Sequence, residues 1–333
     1  MFALRIIQQM EILFNSINYD NIHINYLYEE NTMYNSFNRE IKKRVGQKIY
    51  KLALSGGFTC PTRDGTLGTR GCIFCSAQGS GDFAQKQCGD ITAQIEAAKA
   101  LVAKKARGAK YIAYFQDYTN TYAPIHKLKA LFTSAIGHED IVALSIATRP
   151  DCLPQETVEL LSELNKTKPV FIELGLQTIH EETARYIRRG YELPVFDDAV
   201  KRLTEAGIEV IVHVILGLPN ESREMMLQTV KYVAASGAKG IKLQLLHVLE
   251  NTDLAEEYRQ KKFKTLDMDN YISILEDCLR ILPPDMIIHR LTGDGAKKDL
   301  IAPLWSADKK NVLNTINRRF KEDKVIQGSA YSL

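Results

Sequence analysis

Six short apolar runs, each followed by a stretch of helical periodicity, recur along this chain at roughly 30-residue spacing, and few folds accept that pattern. The runs cover 49–54, 111–115, 141–147, 170–176, 210–216 and 241–248. Helical periodicity covers 92–106, 125–136, 154–165, 196–206 and 221–235. Several of these stretches stop at glycine (Gly108, Gly137, Gly207, Gly237), the residue best suited to a left-handed helix terminus. Strand-helix alternation predicts a parallel sheet, and near-continuous apolar strands predict burial on both faces. Periodicity leaves two architectures open, a doubly wound sheet and a partial barrel.

The flanks of this pattern read differently. Residues 1–32 are rich in Asn, Ile and Tyr without a lasting period, whereas Phe37, Ile41 and Val45 then recur on one face of a short helix that ends at Gly46. We therefore expect Met33 to be the true start and 1–32 an upstream extension, non-native or disordered. Residues 33–250 carry the repeats. Residues 251–333 form a C-terminal extension with helical stretches at 254–261 and 268–282, a short strand at 286–290 and a basic helix near 307–320. Of the 333 residues 45% are hydrophobic and 25% charged, which excludes a disordered or collagen-like chain. The longest apolar stretch is broken by His213 and falls well short of the ~20 residues of a membrane span, and the first residues lack a secretory apolar region. The expectation is a cytoplasmic protein without a membrane partner.

Six cysteines are too few for a disulfide scaffold, so their positions matter. Cys60, Cys72 and Cys75 fall on one loop directly after the first strand, with Gly65, Gly68 and Gly71 permitting sharp turns between them. Three thiolates on one loop suit an iron-sulfur cluster with one iron left open. A structural zinc site needs a fourth ligand, for which Cys88 is the nearest candidate. Cys152 and Cys278 stand alone and read as core thiols.

A three-cysteine loop after the first strand, with Phe74 just before the last cysteine, resembles the radical S-adenosylmethionine superfamily. The segments Gly57-Phe-Thr-Cys-Pro-Thr-Arg-Asp-Gly65, Gly79-Ser-Gly-Asp82, Phe115-Gln-Asp-Tyr-Thr-Asn-Thr-Tyr122, Thr148-Arg-Pro-Asp-Cys-Leu153, Glu173-Leu-Gly-Leu-Gln-Thr178, Leu216-Gly-Leu-Pro219 and His289-Arg-Leu-Thr-Gly-Asp-Gly295 are similar to its YhcC/YtqA-type subfamily. That subfamily lies near the elongator catalytic subunit and coproporphyrinogen dehydrogenase. The resemblance implies an α/β fold, a partial (β/α)6 TIM-like barrel with a C-terminal α/β extension. It implies that Cys60, Cys72 and Cys75 hold a 4Fe-4S cluster whose open iron chelates S-adenosyl-L-methionine, and that reductive cleavage yields a 5′-deoxyadenosyl radical.

The same resemblance assigns cofactor contacts. Phe74 would touch the adenine, and Gln116 stands where the family usually has Gly-Gly-Glu. Gln177 and Arg189 match ribose and carboxylate contacts, His213 matches a ribose-contacting position, and Glu173 is similarly placed in a strand where a buried carboxylate needs a partner. No catalytic residue for the substrate step is assigned.

Two basic zones, 39–51 with six Lys/Arg and 297–324 with eight Lys/Arg against four Asp/Glu, invite a polyanion, and Tyr114, Tyr118 and Tyr122 offer stacking surfaces. The expected function is modification of a tRNA wobble uridine side chain, with tRNA and an electron donor such as flavodoxin or ferredoxin as partners. A radical enzyme acting on a small metabolite and a non-catalytic zinc-bound RNA-binding module are the alternatives.

Overall fold

The computed structural model describes residues 33–77, 79, 84–85, 90–104, 106, 110–293, 295 and 297–332. The proposed extension at 1–32, Cys88, Gly108, Asp294 and residues 80–82 of the Gly79–Asp82 segment lie outside the described residues.

Helix α1 (Phe37–Val45) precedes the repeats. Ser36 caps it by accepting from the Arg39 amide, and Gly46 ends it at φ 79°. The repeats follow as β1 (Ile49–Leu54), α2 (Ile91–Val102), β2 (Lys110–Phe115), α3 (Ile125–Gly137), β3 (Ile141–Thr148), α4 (Gln155–Asn165) and β4 (Val170–Gln177). Then come α5 (Glu181–Tyr186), α6 (Leu193–Glu205), β5 (Glu209–Leu216), α7 (Arg223–Ala235) and β6 (Gly240–Leu245). The extension contributes β7 (Val248–Leu249), α8 (Asp253–Arg259), α9 (Met268–Ile281), β8 (Ile287–Arg290), β9 (Leu300–Ala302) and α10 (Lys309–Glu322).

The large sheet has strand order β1-β2-β3-β4-β5-β6-β8, all parallel. A doubly wound sheet reverses its strand order at a switch point. This order never reverses, and the sheet curls into a partial TIM-like barrel. The extension therefore supplies a seventh strand, β8, where the sequence pattern showed six, and the run at 241–248 breaks into β6 and β7. Gly207 and Gly237 do terminate helices with positive φ, at 74° and 89°. Gly137 does not, since α3 runs through it and the chain turns out at an extended His138.

Outward-facing strand residues pack against the helices in one large core that includes Leu52, Phe115, Ile146, Leu174 and Val212. The inside of the barrel is layered, because side chains two apart on a strand share a face. Ile49, Ile112, Ala143, Phe171 and Ile211 form the lowest layer, against which α1 lays Phe37, Ile41 and Val45 as a plug. β6 has Gly240 at the matching position, where a Cβ would fall 2.7 Å from the His289 ring. That ring stacks on Phe37 at 4.3 Å.

Two residues further along each strand stand Lys51, Tyr114, Ser145, Glu173, His213 and Lys242. Two further still, at the carboxyl ends, Gln116, Ala147, Gly175, Ile215 and Gln244 face open space. The sequence thus writes an apolar floor, a charged middle and a polar mouth with a period of two. Among the described residues no helix is long and apolar enough to cross a membrane.

Candidate active site

The loop after β1 folds back on itself through its own backbone. Arg63 N and Asp64 N donate to Cys60 O at 2.8 and 3.2 Å, Gly71 N donates to Thr62 O at 2.8 Å and Cys75 N to Cys72 O at 3.1 Å. Gly71 has φ 71°, and a Cβ there would come within 2.8 Å of Arg63 Nε, so this turn requires glycine. The guanidinium it makes room for donates to Cys75 O at 3.2 Å and Ser76 O at 2.6 Å, tying the two halves of the loop.

Cys60, Cys72 and Cys75 line one cavity of about 120 Å³ at the carboxyl ends of the strands, with Arg63, Arg149 and Arg189 in its wall. Their charge environment is cationic. A hydrogen bond with Cys75 is the main influence bringing the Cys72 thiol down to about 7 against its burial, helped by Arg149, Arg63 and Arg188. Cys75, the partner in that bond, is pushed up. Cys72 Sγ also approaches Arg188 O at 3.6 Å, and Cys60 Sγ approaches Thr62 Oγ1 at 3.0 Å. Cys152 and Cys278 are buried core thiols, as expected, and burial pushes both up.

The described residues Glu96, His138 and Asp140 bring ligand atoms within 4.8 Å of one another. The exposed Glu96 group offers no alternative centre, because Lys99 and Lys110 hold Asp140 in ion pairs of 2.7 and 2.8 Å.

The cysteine cavity opens, through the shared residues Phe74, Cys75, Gly79, Gln177 and His213, into a chamber of about 660 Å³. All nine residues singled out in the sequence line one or both spaces. Phe74, Gln177 and His213 line both, and Gln116 lines the chamber. Gln177 ends β4 at φ 68°, and its Oε1 is buried without a hydrogen-bond partner. A buried acceptor left open costs about 1–3 kcal/mol, so it fits a ligand that brings a donor. Gly175 makes room for it, since a Cβ there would stand 2.9 Å from Gln177 Nε2.

Arg189 and Glu173 line the cysteine cavity, but their charges are spent within the chain. Arg189 is 2% exposed; its guanidinium donates to Tyr191 O (3.0 Å), Thr178 O (2.6 Å) and Glu181 Oε1 (3.1 Å) and lies over the Tyr191 ring. It is neither an exposed helix-end arginine nor a free carboxylate clamp. The Glu173 carboxylate is fully buried, with Oε1 taking Lys51 Nζ at 2.7 Å and Ser145 Oγ at 2.6 Å. Its Oε2 takes His213 Nε2 at 2.8 Å and also Lys242 Nζ. Four donors use the roughly four lone-pair directions a carboxylate has.

Burial alone would raise the Glu173 carboxyl, but Lys242, Lys51 and His213 hold it well below the carboxylate range. Burial, with Lys51 and Arg290 nearby, brings the Lys242 ammonium down towards about 7. Lys242 also donates to Tyr114 OH at 3.1 Å. Lys51 and Lys242 were missed as site residues. The available signal was a single charge inside each of three apolar strands, two of one sign and one of the other, which must meet or be left uncompensated.

The basic zones separate. Phe37, Ile41 and Val45 lie against the lowest layer, so α1 and its Arg39, Lys42, Lys43 and Arg44 sit at the end of the barrel opposite the cysteines. Arg44 is paired with Glu40 and Glu209, and Lys51 lies inside the barrel. Only the C-terminal zone reaches the chamber, through Lys297 and Lys309. Of the tyrosines, Tyr114 lines the chamber and Tyr118 the cysteine cavity, while Tyr122 OH bonds to Thr66 Oγ1 at 2.9 Å.

Comparison with known proteins follows the same geometry. Residues 65–233 match the radical SAM superfamily and residues 238–322 a radical SAM C-terminal domain. YtqA of Bacillus subtilis is 44% identical over 90% of this chain and 92% of its own length. A protein of Methanocaldococcus infernus named tRNA uridine(34) acetyltransferase is 27% identical over 46% of this chain and 29% of its own. The solved structure of Elp3 from that archaeon superposes with a TM-score of 0.65 at 17% identity, covering 84% of this chain and 64% of Elp3, a likeness of fold.

Proposed function

This chain belongs to the radical SAM superfamily, and from that premise we propose that Cys60, Cys72 and Cys75 hold a 4Fe-4S cluster, that S-adenosylmethionine lies between it and Gln177, and that the substrate is a tRNA wobble uridine side chain. The chain is a radical SAM enzyme; the residue roles, the substrate and the partners are our reading. The observation that carries it is the opening of the three-thiol cavity into the larger chamber through Phe74, Gln177 and His213.

Cluster and S-adenosylmethionine together supply, when bound, one-electron cleavage of a sulfonium and a carbon radical able to take hydrogen from a substrate. The chain's own groups prepare the space. Arg63 and Arg149 offset thiolate charge, Gln177 Oε1 accepts from a hydroxyl donor, and Phe74 provides an aromatic wall. Below them, the saturated Glu173 layer and the apolar floor close the lower end of the barrel and exclude water from that side. That exclusion protects a reactive species from water and stray hydrogen donors.

The tRNA assignment is supported by the name of the archaeal uridine(34) relative and by the lysines of the C-terminal zone that reach the chamber. The reducing electron would come from a flavodoxin or ferredoxin. A metabolite substrate is favoured by one different observation: about 660 Å³ is the size of ordinary small-molecule sites.

Anaerobic reconstitution should give about four iron per chain and release of 5′-deoxyadenosine under a reductant. A colourless protein with one zinc would overturn the cofactor assignment. Nucleoside profiling of tRNA from a deletion strain tests the substrate: loss of a wobble-uridine modification is expected, and an unchanged profile transfers the assignment to a metabolite.

A further inference from the structure

The three thiols of the cysteine cavity are not equivalent. Cys60 Sγ lies 3.0 Å from Thr62 Oγ1, and Thr62 is buried at 6% exposure. Cys72 has a carbonyl beside it, Arg188 O at 3.6 Å, and Cys75 has Cys72 as its hydrogen-bond partner. Among the described residues, Cys60 is thus the ligand sulfur that meets a side-chain hydroxyl. As a thiol, Cys60 could donate to Thr62 or accept from it. A metal-bound cysteine is a thiolate, which has no hydrogen to give and can only accept, so loading of the site fixes the bond from hydroxyl to sulfur.

The loop holds Thr62 in this pose. Its carbonyl accepts from Gly71 N at 2.8 Å, and a Cβ on Gly190 would stand 3.5 Å from Thr62 Cγ2. The methyl therefore faces Gly190 while the hydroxyl faces the sulfur, and branching at Cβ stiffens χ1. Thr62 lines the cysteine cavity and also an outer groove of about 570 Å³ that Gly190 shares.

We propose that the Thr62 hydroxyl donates to the Cys60 thiolate of the loaded site and raises the reduction potential of the cluster. This rests on Cys60, Cys72 and Cys75 holding that cluster, and Thr62 acts on it through Cys60 as a positioning residue. A donor draws negative charge from the sulfur, and reduction adds a further negative charge to the cluster, so the bond is stronger in the reduced state. The step it favours is transfer of one electron. The cluster is reduced, a reduced flavodoxin or ferredoxin is oxidised, and no covalent bond forms or breaks. Thr62 thereby brings the cluster closer to the potential of its donor.

The test is a redox titration of the full reconstituted chain without S-adenosylmethionine, followed by electron paramagnetic resonance of the reduced cluster. T62V keeps the branched shape and deletes the donor, and it should lower the midpoint potential by about 59 mV, a tenfold shift in the one-electron equilibrium. T62S keeps the hydroxyl and should stay close to the unaltered chain. T66V, on the same loop but with its hydroxyl on Tyr122 OH at 2.9 Å, should leave the potential unchanged. The iron-thiolate stretching band in resonance Raman spectra should move in T62V and not in T62S.

An unmoved potential in T62V overturns the proposal, as does an equal fall in T66V or a T62S potential matching that of T62V. If T62V assembles no cluster, T62A carries the same expectation and the same refutation. Iron content separates the two readings. About four iron per chain in the variants with an unmoved potential refutes the Thr62 role alone. One zinc and no reducible centre in the unaltered chain refutes the cluster assignment, and the proposal with it.

Discussion

Lys242 and Glu173, on strands β6 and β4, form an ion pair inside the barrel, with side chains 3% and 0% exposed. Burying two charges costs several kcal/mol, and here Lys51, Ser145, His213 and Tyr114 complete the hydrogen bonding that offsets it. The pair forms the structural floor of the site, and removing Lys242 leaves the buried Glu173 with one ammonium partner, Lys51, in place of two.

Lys242→Met should therefore destabilise the chain by about 3–5 kcal/mol in urea denaturation, more than an exposed lysine substitution would. The double variant Lys242→Met/Glu173→Leu should recover much of that loss, because no buried carboxylate remains. Losses that simply add would show that the two residues do not depend on each other.

Acid should weaken the fold through the same layer. Burial and nearby Lys242 push His213 down to about 4 against its bond to Glu173, whereas an unfolded histidine titrates near 6.5. Between those values the unfolded chain binds a proton that the folded chain refuses, so stability falls as pH drops from about 6.5 to 4, by about 3 kcal/mol. Glu173, held below its ordinary range, adds a loss of the same sign as pH falls further. Melting temperature followed from pH 7.5 to 4 should show this fall, and His213→Asn should flatten its upper part.

Cys72→Ala should lose the cluster and keep the fold. The residue is half-buried on a loop tied by Arg63 and by backbone hydrogen bonds, so the stability change should stay within about 1 kcal/mol. Iron content and visible absorption after reconstitution should fall sharply. Full iron occupancy in this variant would remove Cys72 from the ligand set.

Gln177→Ala separates binding from folding. It deletes an acceptor that has no partner within the chain, so stability should not fall, while affinity for S-adenosylmethionine should drop about tenfold, the value of one hydrogen bond. Gln177→Gly should also relieve the left-handed backbone at φ 68° and raise the melting temperature slightly. Undiminished cofactor affinity in both variants would leave Gln177 without a binding role.

Local pattern was enough to determine the repeats and the cysteine loop. Strand periodicity depends on neighbours two residues apart and helix stops on neighbours three or four apart, and Cys60, Cys72 and Cys75 share one loop whose turns need Gly71. Tertiary structure alone decided that the strands never reverse order, that β8 joins the barrel, and that α1 carries its basic residues to the far end. It also decided that Arg189 turns inward onto Thr178 and Tyr191, and that Lys51 meets Glu173 across 122 residues. Those outcomes depend on which strand lies beside which and on which way the sheet curls. A charge isolated among apolar neighbours in one strand finds its partner only when the barrel closes around it, because only there does leaving it unpaired cost more than any alternative packing.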